Sequence, residues 1–349
     1  MTSSEVKYEE LFSQIVGRPE TEIITLDQIN KIFSNSRILI IGAGGSIGSA
    51  LARRLVDAEI KDLFFLDRDE SALHALALGL SDVAASHSDK CLVGDVRDPA
   101  GLENIFRKIE PSVVIHAAAL KHLVILEKFP REGFLTNVQG TLNVAEVAAR
   151  LNASQFINIS TDKAAKPSSV LGKTKKIAEL ICEEVFFDTK SRQCSVRFGN
   201  VFASRGSVIE TFIHQITNDL SITITHEDVA RFFMSKNEAA NLVLASASLD
   251  DNGTYIQNMG QEVKIIDVVK RLANHFGKKP KIKFIGMQKG EKLNEELFDG
   301  PAQETKYPHI SRSIHGYKRG LVNEVLKRNP ANDKEATIII DELMKNWVD

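Results

Sequence analysis

A doubly wound α/β fold, a parallel sheet with helices on both faces, is what this 349-residue sequence predicts. Three observations predict it. From Arg37 to Phe198, short runs of β-branched and apolar residues alternate with longer amphipathic stretches, the rhythm of strands joined by crossover helices. The first run, Arg37 to Ile41, leads straight into Gly42-Ala-Gly-Gly-Ser-Ile-Gly48, where positions without side chains permit a tight turn and close backbone approach. Ser46 to Ala58 then carries apolar residues at helical spacing, Ile47, Leu51 and Leu55, so a helix N-terminus faces that turn.

Strand, glycine turn and helix together form a Rossmann-type cradle for a pyrophosphate, because unpaired N–H groups and the helix dipole both face the turn. Gly42, Gly45, Ser46, Ile47 and Gly48 are expected to line it. Asp67 ends the next apolar run, Leu63 to Leu66, about 20 residues beyond the loop, where a dinucleotide site places a carboxylate for ribose hydroxyls. NAD is the expected cofactor. Arg68 beside Asp67 leaves NADP open, since a guanidinium accommodates a 2'-phosphate.

Ahead of the first strand, residues 1–36 are expected to be a helical extension, with apolar positions at Leu11, Phe12, Ile15 and Val16, then at Leu26, Ile29 and Ile32. Residues 37–200 form the expected dinucleotide-binding domain, with later strands at Leu63–Asp67, Lys90–Gly94, Ser112–His116, Gln155–Ile159 and Gln193–Phe198. Beyond them Val208–Ile216, Asn237–Ser248 and Ile265–Phe276 read as helices, and Ser221–Thr225, Tyr255–Met259 and Lys281–Ile285 as extended. Residues 201–349 are thus expected to be mainly a smaller substrate-binding and C-terminal helical region, closing over the sheet edge. Within it Gln288–Arg319, rich in Gly, Pro, Lys and Glu, is expected to be irregular surface or a substrate lid, with closing helices at Val322–Leu326 and Asp333–Trp347.

Composition narrows the function. With 44 basic and 46 acidic side chains the formal charge is −2, so no global field recruits nucleic acid or an anionic membrane. Cys91, Cys182 and Cys194 lack metal-ligand spacing, which predicts buried thiols, a reducing cytoplasmic setting and no metal. No apolar run approaches the roughly 20 residues of a membrane span, and acids stand where a signal peptide carries basic and then apolar residues. A cytoplasmic homo-oligomer without a membrane span is expected, the N-terminal extension being one candidate contact.

Polar clusters fall where strands end, which is where ligands sit in such sheets. His116-Ala-Ala-Ala-Leu-Lys-His122 offers small residues, Ala117, Ala118 and Ala119, against which a cofactor can lie, followed by Lys121 and His122. Elsewhere a Lys-His pair is ordinarily a solvated loop; here substrate contact is equally expected. Ser160-Thr-Asp-Lys-Ala164 sets a hydroxyl, a carboxylate and an amine at one strand end, with Leu171 and Lys175 one helical turn apart beyond it. Asn200, Arg205 and Arg231 are candidates for a diphosphate, which guanidinium groups grip in a two-pronged fork. Gly290-Glu-Lys-Leu-Asn-Glu-Glu-Leu297 reads either as a plain charged helix or as a substrate-contacting segment.

Taken together, the glycine loop, His116–His122, Asn137 in Thr-Asn-Val-Gln-Gly-Thr, Ser160–Ala164, Val196–Val201 with Arg205–Val208, Arg231–Met234 and Gly290–Leu293 resemble the extended short-chain dehydrogenase/reductases. Within them the pattern is similar to the CapD-like nucleotide-sugar 4,6-dehydratases of polysaccharide biosynthesis, from about Gly17 to Leu297. The resemblance implies a UDP-sugar substrate, most of all UDP-N-acetylglucosamine, and NAD(P)-dependent loss of water to a 4-keto-6-deoxy sugar. It implies that Thr161 holds the C4 oxygen, Asp162 protonates the departing C6 hydroxyl, Lys163 is the C5 base and Lys175 holds the nicotinamide ribose. Lys163 is then expected to have a lowered pKa. Asp95 and Val96 are added to the cofactor contacts, and Lys121, His122, Asn137, Asn200, Arg205, Arg231 and Glu291 to the substrate contacts. One departure stands out: most members carry Tyr-x-x-x-Lys, and Leu171 occupies the Tyr place with Lys175 kept. Some membrane-linked members similarly have Met there. Two rival readings remain, a UDP-sugar 4-epimerase and a non-catalytic NAD(P)-sensing protein that lost turnover with its Tyr.

Overall fold

The computed structural model describes residues 11–80, 88–314, 316 and 318–347; the first ten residues of the expected extension and positions 315 and 317 lie outside them. The strands are β1 (Ile38–Ile41), β2 (Leu63–Asp67), β3 (Cys91–Val93), β4 (Val113–His116), β5 (Gln155–Ile159), β6 (Arg192–Arg197), β7 (Asn200–Val201), β8 (Ile222–Ile224), β9 (Ala230–Arg231), β10 (Phe233–Met234), β11 (Gly253–Gln257), β12 (Val263–Lys264), β13 (Ile282–Phe284), β14 (Ala302–Glu304) and β15 (Ile310–Ser313). Nine of them form one sheet in the order β14-β15-β11-β6-β5-β4-β1-β2-β3.

Alternation along each strand decides which face it covers. In β1, Ile38 and Ile40 join one core while Leu39 and Ile41 join another. β4 and β5 divide likewise, with Val113, Ile115, Ile157 and Ile159 on the first face and Val114 and Phe156 on the second. Helix Ser46–Asp57 covers the first face through Leu51 and Leu55; helices Pro99–Ile109 and Gly140–Arg150 cover the second. Pairing is parallel from β3 across to β11, and strand order reverses between β1 and β4, which opens a crevice at their carboxyl ends.

Beyond Val201 the chain does more than close over the sheet. Helix Lys236–Ser246 packs into the first core with helix Ser46–Asp57, and β11 adds to the sheet beside β6. The stretch Gln288–Arg319, expected to be irregular, contributes β14 and β15, both paired antiparallel. Only Ile310 in β15 carries an apolar signal; backbone pairing, not hydropathy, holds that strand. A separate core joins helices Val208–Thr217 and Ile265–His275 with Phe12 and Ile15 of helix Phe12–Val16. Arg18 fastens the extension further, pairing with the buried Glu238 in the capping box of helix Lys236–Ser246.

A buried charge group joins the sheet to the C-terminal segment. Arg197 at the end of β6 donates to both oxygens of Glu179, at 2.7 and 2.6 Å, and to both of Asp299, at 3.0 and 2.8 Å. Lys176 pairs with Asp299, so two cations face two carboxylates. Removing one member leaves a charge buried without its counterpart. Glu179→Ala is therefore expected to lower unfolding free energy by about 3–5 kcal/mol, read as a lower urea midpoint by circular dichroism.

Candidate functional site

An open cleft of about 400 Å³ lies at the strand-order reversal, lined by Gly42, Asp67, Arg68, Asp95, Val96, Ala118 and Ala119 among others. Two glycines make it possible. Gly42 has φ +81°, and a Cβ there would meet the Ala118 backbone nitrogen at 2.5 Å; a Cβ at Gly48 would lie 2.2 Å from the Gly42 carbonyl oxygen. Gly45 begins helix Ser46–Asp57, so Ser46 and Ile47 form its first turn against the loop. Asp67 accepts from the Gly44 N–H at 2.9 Å and thereby sets the loop's position beneath the cleft. Arg68 Nη1 stands 4.0 Å from Asp95, whose carboxyl is held below its ordinary range, chiefly by its hydrogen bond with Arg97. Asn143 fixes the Val96 carbonyl at 2.9 Å, and Ala117 N–H donates to Ile41 at the end of β1.

A short π-helix, Phe134–Gln139, supports the loop after β4. It carries Asn137, and here the structure departs from expectation: the Asn137 amide accepts from Leu120 N–H at 2.8 Å and donates to Leu120 C=O and to Thr174 Oγ1. With those groups engaged, Asn137 holds the Ala117–His122 loop in place. His116 lies beneath the same loop, fully buried, with Nε2 3.0 Å from Thr141 Oγ1. That hydroxyl donates to Asn137 C=O, so His116 Nε2 is the donor. Burial, with the Lys175 charge, pushes the imidazole down to about 3, so it stays neutral.

The next strand end gathers a hydroxyl, a carboxylate and an amine able to exchange protons. Thr161 caps the turn Asp162–Ala164 and its Oγ1 donates to Asp162 Oδ1 at 2.9 Å. Lys163 Nζ donates to the same oxygen at 2.9 Å and to Asn200 Oδ1 at 3.2 Å. A residue the sequence reading missed completes the group: Glu295, buried, brings Oε1 to 3.6 Å from Lys163 Nζ and 3.7 Å from Arg231 Nε. The expected lowering of the Lys163 pKa is overturned. Burial pushes it down, but the charges of Asp162 and Glu295 and the Asp162 hydrogen bond outweigh burial, so the ammonium is held above its ordinary range. Lys175 behaves in the opposite way: burial lowers it to about 8, and its ammonium has no hydrogen bond to any described residue. Leu171, at the place where the resembled family mostly carries Tyr, packs among Leu126, Phe134 and Val170.

The Gly290–Leu297 segment is not a helix; it is irregular and lies over the Thr161–Ser169 turn. Lys292 Nζ donates to Lys166 C=O at 2.7 Å, and Ser168 Oγ donates to Gly290 C=O at 3.0 Å. Glu291, expected to touch substrate, instead accepts from Thr225 Oγ1 at 2.9 Å and from Gln288 N–H, and pairs with Arg231 at 3.2 Å. It positions Arg231, whose Nη1 also donates to the Ala230 and Leu293 carbonyls. Arg205 has its N–H donating to Ser46 Oγ at 3.0 Å and its carbonyl accepting from Lys121 Nζ at 2.7 Å. His122 rests against Gly206. The structure thus brings Arg205, Lys121 and His122 to the glycine turn, and Asn200 and Arg231 to Lys163. Among the described residues no cluster suited to a metal occurs, and no helix is long and apolar enough to cross a membrane.

Residues 38–315 match the family described as polysaccharide biosynthesis protein. The capsular polysaccharide biosynthesis protein CapD of Staphylococcus aureus is 35% identical over 339 residues, covering 95% of this chain and 55% of that protein. The chain thus spans about half the length of that curated relative. A UDP-glucose 4-epimerase of Rickettsia canadensis is 33% identical, covering 76% of this chain and 78% of its own. Of solved structures, Pen from Bacillus thuringiensis superposes with a TM-score of 0.72 at 30% identity, over 82% of this chain and 89% of Pen. The Thermus thermophilus UDP-glucose 4-epimerase complex with NAD gives 0.67 at 18% identity, over 89% and 99%, a likeness of fold. The motifs, the sheet order and these matches agree, and the chain belongs to the polysaccharide biosynthesis protein family, within the extended short-chain dehydrogenase/reductases.

Proposed function

We propose that the protein holds NAD and converts a UDP-linked N-acetylhexosamine, UDP-N-acetylglucosamine first, to its 4-keto-6-deoxy product with loss of one water. The observation that carries this reading is the hydrogen-bonded group Thr161–Asp162–Lys163 at a strand end beside a cleft shaped for a dinucleotide. The glycine turn and Asp67 suit the pyrophosphate and a ribose, and the bare ammonium of Lys175 suits the second ribose. When bound, the cofactor supplies a hydride acceptor for C4 and returns that hydride to C6, without net redox change.

The chain's own groups account for the protons. Thr161 can pass the C4 hydroxyl proton to Asp162, 2.9 Å away, which turns Asp162 into the acid needed at C6. The same proton cancels the strongest charge holding Lys163 protonated, so the ammonium releases its proton to water more readily when the ketone forms, and the neutral amine can then take the C5 proton. Leu171 has no proton to give or take, and none is asked of it. The R. canadensis relative's name favours a second reading, 4-epimerisation, which shares the first step but has no use for an acid aimed at C6.

Mass spectrometry of UDP-N-acetylglucosamine incubated with protein and no added reductant is expected to find the dehydrated sugar nucleotide. An unchanged mass with a new sugar would mean epimerisation, and no product from any UDP-, GDP- or dTDP-hexose would sink both readings. Cofactor released from the purified protein is expected to be mainly NAD, since Asp67 repels a 2'-phosphate; mainly NADP would mean that Arg68 prevails.

Lys163→Ala and Asp162→Asn are each expected to lower kcat by about 10²–10⁴-fold with NAD binding intact, because both act on protons. Solvent-deuterium exchange at C5 separates them. Loss of Lys163 should abolish exchange, and loss of Asp162 should permit some exchange while blocking departure of water. Near-normal turnover in Lys163→Ala would refute its role as base.

A further inference from the structure

We infer that Glu295 is a positioning residue for this site, one carboxylate oxygen holding both Lys163 and Arg231 and so setting where the C5 base stands and how readily it gives up its proton. The inference rests on the proposed function for its meaning, but its geometry does not. Glu295 sits in the irregular segment that crosses the Thr161–Ser169 turn, and its side chain is 3% exposed. Oε1 lies between Lys163 Nζ and Arg231 Nε at 3.6 and 3.7 Å, while Oε2 is buried with no hydrogen-bond partner. A carboxylate with one bare oxygen is costly to bury, and the two cations on its other oxygen are what offset that cost.

Every charged group around the lysine matters to its titration. Asp162 faces Lys163 from its own turn, Glu295 from the C-terminal segment and Arg231 from β9. Glu262 stands behind, accepting the Glu295 N–H at 2.8 Å, and Asn200 adds a neutral acceptor. Two carboxylates therefore bracket one ammonium. When Asp162 takes up a proton from substrate, Glu295 becomes the carboxylate still facing Lys163, so it limits how far the amine's basicity can fall. Because Arg231 shares the same oxygen, an anion that draws Arg231 away leaves the full charge of Glu295 to the lysine.

Competitive labelling with acetic anhydride over a pH series, read at the Lys163 peptide by mass spectrometry, tests this on whole protein without substrate. Removing a negative charge makes the ammonium easier to deprotonate, so in Glu295→Gln the Lys163 midpoint should move down by about one pH unit. Glu295→Asp keeps the charge but withdraws it, and an intermediate shift is expected, which also serves if Glu295→Gln folds poorly. Glu296→Gln, at the exposed neighbour that pairs with Lys166, should leave the midpoint unmoved. An unmoved or raised midpoint in folded Glu295→Gln overturns the inference and leaves Glu295 a packing residue. If the protein turns over UDP-N-acetylglucosamine, the acid limb of kcat should shift down with the labelling midpoint and KM should change less. A labelling shift with no kcat shift would remove Lys163 as the base and leave the positioning role standing.

Discussion

The placement of the site depends on Arg197. It lies at the end of β6 and is fully buried, which would be prohibitive for a lone guanidinium, yet Glu179 and Asp299 each grip it with two oxygens. Glu179 belongs to helix Val170–Phe186, which carries Leu171 and Lys175; Asp299 lies just beyond the segment that carries Glu291 and Glu295. Ser313 of β15 donates to Asp299 as well, at 2.9 Å. One side chain thus ties together the end of β6, helix Val170–Phe186 and the segment over the Thr161–Ser169 turn. Such an arrangement adds little net stability over an apolar core, but it permits few alternative packings, because every other register would strand a buried charge.

That coupling explains which parts of the molecule were legible in the sequence. The glycine turn, helix Ser46–Asp57 and Asp67 are local in the chain, and each carries its own signal in residue type and spacing. The central strands were legible because a strand buried on both faces must be apolar throughout, as β1 is. β14 and β15 were not, since Ala302-Gln-Glu304 is exposed and β15 has one apolar residue. Glu295 was visible only as one acid in a charged run, and nothing local could say that the fold would bring it to Lys163.

The same distinction accounts for what the sequence reading did not foresee. Asn137 and Glu291 have side-chain types that commonly meet ligands, but in this structure their polar groups serve the protein itself. Asn137 is engaged by Leu120 and Thr174, and Glu291 by Thr225, Gln288 and Arg231. The lysine pKa failed for a related reason. Desolvation alone lowers a buried lysine, as it does Lys175, but Lys163 was buried together with two carboxylates, and paired burial reverses the sign.

Leu171 then becomes intelligible. A phenol at this place would need a cation nearby to ionise near neutral pH, since its ordinary pKa is about 10. Leucine instead packs with Leu126, Phe134 and Val170, removing any need for Lys175 to stabilise a phenolate. Freed of that task, the Lys175 ammonium has no hydrogen bond to any described residue, and with a pKa near 8 it is mostly charged at neutral pH. On the proposed reading the proton work falls to the neighbouring strand end, where Thr161, Asp162 and Lys163 already form a hydrogen-bonded chain. An acid and a base joined through one carboxylate oxygen suit an elimination, which gives one proton and takes one in a single event. Epimerisation requires only that one oxygen be deprotonated and reprotonated, and a hydroxyl with a single partner would serve it.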